Sequence, residues 1–473
     1  MADPWHATAP PPPLAVKGVL RVANKPHVRR GQLLVSADPF VYVLKAEAAR
    51  VRCAFCLDKS EKLQRCSGCQ VMYFCNRHCQ KNAWSEFHRL ECRRLKLASP
   101  RAVPDTALLL ARLICKLRRG GDRLSERVTD TRHRSFKDLM SHYKDIKASA
   151  KRMEHVMSLN VVLKSFLGDE EFPNLSELTG MYGRVCVNGF NILDGEMSPV
   201  AVGVYLAPSV IDHSCQPNAA ATFAGRTISI RAIEDIPSFS WDKVRISYID
   251  TMADTETRLR ELRNGYFFDC DCPRCSAGEF ADLERALCCG TPNCTRQVIL
   301  PADDSDELPR CERCRFDNYP TDVRAEFDEL RQATRAAAQD NTVYYDLCLR
   351  VLRRQEPLLH PLNVYRVKML DLALEAAIST DMWERCLELG QQLEEGYRKY
   401  YGPYGALTGV FYLKLGKIAL YRFRHELAAR YLGLAADVLR VTHGSDHPLY
   451  GSQLAPLLHQ LAAETDRRGL PSR

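Results

Sequence analysis

The hydrophobic and polar positions of this chain change period along its length. Two short runs, Gly31-Gln32-Leu33-Leu34-Val35 and Asp38-Pro39-Phe40-Val41-Tyr42-Val43, are β-type and broken by glycine and proline, which predicts two strands joined by a turn. Residues 105–120 switch to a helical period. Leu108, Leu109, Leu113 and Leu117 mark the apolar positions, Asp105 stands as N-cap, basic residues fill the last turn and Gly120 supplies the stop. Helical pattern continues to about residue 167. Strand character returns with the apolar run 202–206 and with Thr227-Ile228-Ser229-Ile230-Arg231-Ala232-Ile233, whose alternation predicts a half-buried strand. Between them lies a polar knot, Asp212-His213-Ser214-Cys215-Gln216-Pro217-Asn218. From residue 324 onward the pattern is helical, with 364–377, 382–401, 406–421 and 425–442 each of helix length and joined by turns such as Tyr401-Gly402-Pro403.

Composition changes this picture mainly through cysteine. The chain has 473 residues, 46% hydrophobic and 26% charged, enough for about three globular domains at roughly 150 residues each. Twenty cysteines are unusual for such a chain. Residues 1–16 are polar and then proline-rich, without the apolar core of a secretory signal. No apolar run approaches the roughly 20 residues of a membrane span. The expectation is a soluble protein of a reducing compartment whose cysteines mostly hold zinc rather than form disulfides. The formal charge of +8 is unevenly spread: residues 50–154 carry 25 Lys and Arg against 11 Asp and Glu. That basic excess is either a set of solvated helix faces or a surface for nucleic acid or acidic peptide.

The cysteine spacing carries the strongest chemical signal. Cys53, Cys56, Cys66, Cys69, Cys75, Cys79, His88 and Cys92 are eight ligands in forty residues, the number that two tetrahedral zinc sites require. A segment this small draws its folding energy from metal. His78 falls outside the pattern and is expected on the surface. Downstream, Cys270, Cys272 and Cys275 lie within six residues and lack a fourth ligand, for which Cys215 of the knot is a candidate. A third group, Cys288-Cys289-x4-Cys294 and Cys311-x2-Cys314, reads as a zinc ribbon, with Cys289 preferred to Cys288 because four ligands suffice. Gln80 and Trp84 stand one helical turn apart, so an amide and an indole share a face suited to a proline-rich peptide.

The knot and the Cys-x-Cys-x-x-Cys tail together resemble the SET domain of lysine methyltransferases. With the eight-ligand finger the resemblance narrows to the SMYD family, in which a MYND finger interrupts the SET domain, and it covers nearly the whole chain. It implies a multidomain α+β fold: a small β-rich SET domain split by a MYND zinc finger and a helical insertion, a post-SET zinc segment, and an all-α C-terminal domain resembling tetratricopeptide repeats. The implied segments are a disordered proline-rich N-terminus at 1–17, SET portions at 18–50 and 181–250, the finger at 53–92, the insertion at 100–180, the post-SET segment at 251–276, the ribbon at 285–318 and the helical domain at 324–473. Residues 413–421 and 428–432 resemble half-repeats, with small residues where neighbouring helices meet. The MYND resemblance pairs Cys53, Cys56, Cys75 and Cys79 on one zinc and Cys66, Cys69, His88 and Cys92 on the other.

The resemblance also implies function. The expected activity is S-adenosylmethionine-dependent methylation of histone or other protein lysines. Tyr248 stands beside the transferred methyl, and Tyr266 and Phe190 line the lysine channel. The cofactor positions are Gly18, Asn188, Ser209, Asp212, His213, Tyr248, Tyr266 and Phe268; Asp212 occupies a place where the family motif has Asn. Gln80, Trp84 and Tyr205 are the expected peptide-binding residues, with proline-rich peptides as MYND partners and chaperone tails as partners of the C-terminal helices. A monomer distributed between nucleus and cytoplasm is expected. Two alternatives compete: a catalytically weak SET and MYND adaptor in transcriptional regulation, suggested by Asp212, Lys137, His142 and the glycine turn reduced to Gly18, and a nucleic-acid-binding zinc protein with weak DNA affinity, suggested by the basic excess.

Overall fold

The computed structural model describes residues 27–129, 132–168, 172–276, 278–302, 308–340 and 344–467. The expected 1–17 segment and the Gly18 turn lie outside these residues. The chain divides into two compact units. One runs up to Asp212 and includes Ala221–Val244 and Gly265–Phe267; the other comprises His213–Ala220, Arg245–Asn264 and the chain from Phe268 onward. The chain therefore passes from one unit to the other inside the polar knot.

The first unit is built on small antiparallel sheets. Leu33–Ala37 pairs with Thr227–Ala232, placing Val35 opposite Ile230 and Ala37 opposite Ile228. Ile228, Ile230 and Ala232 point inward while the residues between them are half-buried, the alternation expected of a strand with one wet face. Val41–Leu44 is buried at every position. It pairs with Pro199–Val204, whose other edge takes Gly189–Leu193, and the helix Asp105–Arg118 packs on it. Burial on two faces explains why its sequence is a continuous apolar run rather than an alternating one.

One helix boundary differs from the sequence reading. Pro104 occupies the N-cap position of Asp105–Arg118, and the Asp105 carboxylate instead accepts from the Ala46 amide at 3.2 and 3.3 Å, tying the helix to the end of the strand before it. A long-range hydrogen bond has displaced the local cap. The helix Leu175–Asn188 opens with a reciprocal capping box between Asn174 and Glu177. Gly120 does stop its helix, at a φ of 85° that residues with a Cβ rarely adopt.

In the second unit the strands Ala286–Cys288 and Gln297–Ile299 form a hairpin. Beyond it run the helices Val323–Gln339, Tyr345–Leu358, Val364–Ser379, Trp383–Tyr400, Ala406–Tyr421, His425–Thr442 and Ala455–Arg467. Consecutive helices pack on each other. Small residues let them approach: a Cβ on Gly390 would lie 2.4 Å from Leu415 Cδ2, and one on Gly416 would lie 2.6 Å from Leu432 Cδ2. Tyr397 and Phe411 stack across such a contact at 4.2 Å. Among the described residues no helix is long and apolar enough to cross a membrane.

Candidate active site and metal centres

Local structure gathers the finger ligands. The hairpin of Gln64–Arg65 and Tyr73–Phe74 leads to the helix Arg77–Ala83, whose N-cap Asn76 accepts from the Cys79 amide at 2.9 Å. Cys53, Cys56, Cys75 and Cys79 come together, as do Cys66, Cys69, His88 and Cys92, with ligand atoms within 4.8 Å of one another in each group. A tetrahedron with Zn–S bonds of about 2.3 Å has an edge of about 3.8 Å. The observed separations match it: Cys56 to Cys75 3.7 Å, Cys75 to Cys79 3.4 Å, Cys66 to Cys92 3.9 Å and Cys69 to His88 Nε2 3.7 Å.

Two residues that sequence reasoning passed over support the second group. His88 turns Nδ1 to the Glu91 carboxylate at 3.3 Å, leaving Nε2 toward the sulfurs. Glu91 in turn receives both Nε and Nη2 of Arg112 at 2.8 Å, and Arg112 Nη1 donates to the Tyr42 carbonyl at 2.7 Å. Burial pushes the Glu91 carboxyl up, but Arg112 and His88 outweigh it and bring it down to about 2. The only local signal for Glu91 is its position three residues after His88 on one helical face; Arg112 has none.

Cys215, Cys270, Cys272 and Cys275 converge in the second unit, with Cys215 and Cys275 3.6 Å apart. The Tyr248 amide donates to His213 Nδ1 at 3.0 Å, so the remaining ring proton sits on Nε2 and points to Cys215 Sγ at 3.3 Å. Burial pushes His213 down to about 4, which keeps the ring neutral. Its ring lies 5.3 Å from that of Tyr248 and 5.9 Å from that of Phe268. Arg258, fully buried, directs Nη2 to Cys275 Sγ at 3.8 Å, and Arg274 donates to the carbonyls of Cys215, Thr251 and Tyr400. Two guanidiniums thus offset the charge of a four-thiolate site.

A fourth group joins Cys289, Cys294, Cys311 and Cys314, with Cys289 to Cys314 at 3.2 Å and Cys294 to Cys311 at 3.8 Å. Cys288 faces away, its thiol 3.2 Å from the Leu359 carbonyl. Cys288 ends its strand and Cys289 follows it, and the two thiols turn to different neighbours, so that Cys289 is the one that reaches the ribbon.

The comparisons agree with this geometry. Residues 53–92 match the model of the MYND finger. The chain is 31% identical over 427 residues to the histone-lysine N-methyltransferase SMYD3 of Homo sapiens, covering 89% of this chain and 90% of that protein. The chain belongs to the SMYD family. The N-lysine methyltransferase SMYD2 of Homo sapiens is 27% identical over 88% of this chain and 90% of its own length. The histone-lysine N-methyltransferase ASHR1 of Arabidopsis thaliana is 26% identical over 93% of both.

As a SMYD protein the chain places its remaining expected site residues unevenly. Tyr248 is not in a strand: the strand ends at Ile246 and Tyr248 stands in a bend beyond it, held through its amide by His213. Asn188 ends its helix and spends its Nδ2 on the carbonyls of Met140 at 2.8 Å and Arg184 at 2.9 Å, which leaves its oxygen as acceptor. Ser209 donates to the Tyr205 carbonyl. Phe190 meets Tyr205 edge-on at 5.6 Å, Tyr266 ends the helix Thr255–Tyr266, and Asp212 is exposed.

The peptide-binding set needs a correction. Tyr205 is fully buried, with its hydroxyl donated to the Arg226 carbonyl at 2.6 Å, so it is a core residue and not part of a peptide surface. Its apolar neighbours Val204 and Leu206 drew it inside. Trp84 is 45% exposed and meets the His88 ring edge-on at 5.9 Å, and Gln80 is half-buried one turn before it. His78 is exposed.

Proposed function

We propose that the protein is an S-adenosylmethionine-dependent protein-lysine N-methyltransferase acting on histone or other protein lysines, with Tyr248 at the transferred methyl. The observation that carries this reading is the His213 ring, which fixes the Tyr248 backbone with one nitrogen and the zinc-ligand candidate Cys215 with the other. That bond fixes the backbone from which the Tyr248 phenol projects, which narrows the positions the ring can take. When bound, S-adenosylmethionine supplies a methyl on a sulfonium, the electrophile for a lysine amine. Tyr248 then aligns the neutral amine lone pair, after the ammonium proton has left to solvent. Tyr266 and Phe190 supply aromatic channel walls that exclude water. The exposed Asp212 carboxylate fits the cofactor's ammonium, and the free oxygen of Asn188 offers a further acceptor. Zinc held by the four Cys/His groups is structural, since each group already provides four protein ligands. Trp84 and Gln80 would take a proline-rich peptide through the finger.

The test is Tyr248→Phe. Calorimetric S-adenosylmethionine affinity should stay within a few-fold, while methyl transfer falls by about 100-fold or more, because the phenol acts mainly in the transition state. Full activity on every substrate tested would reject the assignment. The adaptor reading is favoured by Asp212, since a carboxylate accepts but cannot donate to the cofactor's own carboxylate. Asp212→Asn should therefore tighten S-adenosylmethionine by about 1 kcal/mol. Weaker binding would refute the charge argument, and binding in neither protein would favour the adaptor.

A further inference from the structure

A cavity of about 310 Å³ lies within the first unit, lined by residues of the finger, of the chain entering Val41–Leu44 and of the helix Asp105–Arg118. Neither the zinc ligands nor the proposed methyl-transfer residues line it. Phe40 and Phe87, both buried, form part of an apolar wall. Among the described residues its lining carries four cations, Arg112, Lys116, Arg119 and Arg226, against three carboxylates, Asp38, Glu86 and Glu91.

The pairing shows where the excess lies. Arg112 is matched bidentately by Glu91, and Arg226 by Glu86 at 2.8 Å. Asp38 accepts from the Thr227 hydroxyl at 2.5 Å and lies 4.0 Å from Arg226. Lys116 directs Nζ to the Phe40 carbonyl at 2.6 Å and sits 4.6 Å from the Phe40 ring; among the described residues it forms no ion pair. Arg119 leaves Nε buried with no hydrogen-bond partner among the described residues. Arg119 therefore keeps a donor for a ligand that enters the cavity.

We propose that this cavity binds a small organic monoanion, a carboxylate on an aromatic or short aliphatic body, held by Lys116 and Arg119 with its body against the Phe40 side of the wall. One negative charge balances the lining, a carboxylate offers lone pairs to both cations, and the volume suits a compact ligand. Because the walls come from the finger and from the strand and helix beneath it, occupancy would join the finger to the sheet.

The test uses full-length, zinc-loaded protein, with 2-naphthoate and its neutral isostere 2-naphthamide as calorimetric probes. Naphthoate should bind once per chain at least tenfold more tightly than the amide. Arg119→Gln and Lys116→Met should each weaken naphthoate about tenfold, as expected for one charge-assisted hydrogen bond, and leave the amide unchanged; Lys116→Arg should retain binding. Saturating S-adenosylmethionine should not displace the probe. Equal affinities for the two probes, no saturable naphthoate binding, competition with S-adenosylmethionine, or unaltered binding in Arg119→Gln would each overturn the proposal. Should Lys116→Met fail to fold, Arg119→Gln decides it.

Discussion

In the finger, most of the zinc-ligand candidates are buried, Cys53, Cys66, Cys69, Cys79, Cys92 and His88, beside a few apolar side chains such as Leu57, Phe74 and Ala83. Between Val364 and Thr442 the buried centre is instead Leu374, Leu393, Leu415, Leu432 and Leu439, with Tyr397 and Phe411 stacked. The finger lacks the residues to bury a sizeable apolar core, so its cohesion passes through a few metal bonds and the charged Glu91–Arg112 pair behind them. The helices spread cohesion over many weak contacts. A network of few strong bonds fails all at once, whereas a packed stack loses stability in proportion to the contacts removed.

Chelation is the largest perturbation that follows. Elemental analysis should find four zinc ions per chain, and removing them should unfold residues 53–92, since structural zinc supplies on the order of 10 kcal/mol. Hydrogen exchange should show the finger amides losing protection while those of 364–442 keep theirs; equal loss in both would break the comparison. Two zinc ions or fewer on folded protein would refute the four-site reading. Cys289→Ser should release one zinc, and Cys288→Ser none.

Glu91→Ala comes next. It leaves the buried Arg112 guanidinium without its carboxylate and His88 without its support, at a cost of about 3 to 5 kcal/mol in denaturant unfolding. In the helices, Gly416→Leu forces side-chain atoms into Leu432, whose Cγ would lie 2.8 Å from even a single added Cβ. Overpacking should cost about 2 kcal/mol, read as a lower unfolding midpoint with zinc content unchanged.

The smallest effect concerns Glu126, which is 1% exposed and accepts from the Ala207 amide at 2.8 Å. Burial pushes its carboxyl up to about 7; the Ala207 amide and Lys116 only partly offset this. Because the folded value is raised, its contribution to stability is fully present below the unfolded value of about 4.3 and is lost as pH rises through about 7. Glu126→Gln keeps an acceptor for Ala207 without ionising. The variant should match wild type near pH 4 and exceed it at pH 8, measured by urea unfolding. A pH-independent difference would show that the buried carboxyl is not what titrates.

Much of this protein was legible before folding because the relevant interactions are short-range in sequence. The finger spacing names its ligands, Gly120 ends its helix at a φ that residues with a Cβ rarely adopt, and the helices 406–421 and 425–442 follow from their apolar period and turns. Asp105 and Tyr205 were misread for one reason. Their side chains are claimed by partners far along the chain, Ala46 for one and Arg226 for the other, and a local pattern carries no information about those partners.

By itself the amino-acid sequence determined the number and type of the metal ligands, the succession of strands and helices, and the family to which the chain belongs, since each depends on spacing over a few turns. Only the tertiary structure decided that Cys289 rather than Cys288 faces the ribbon and that Arg112 stands behind Glu91. It alone set His213 between Tyr248 and Cys215, and brought Lys116 and Arg119 to one cavity. These are questions of which face turns inward and which distant charge meets it there. Burial answers them by making each unpaired polar group costly, and burial exists only once the chain has folded.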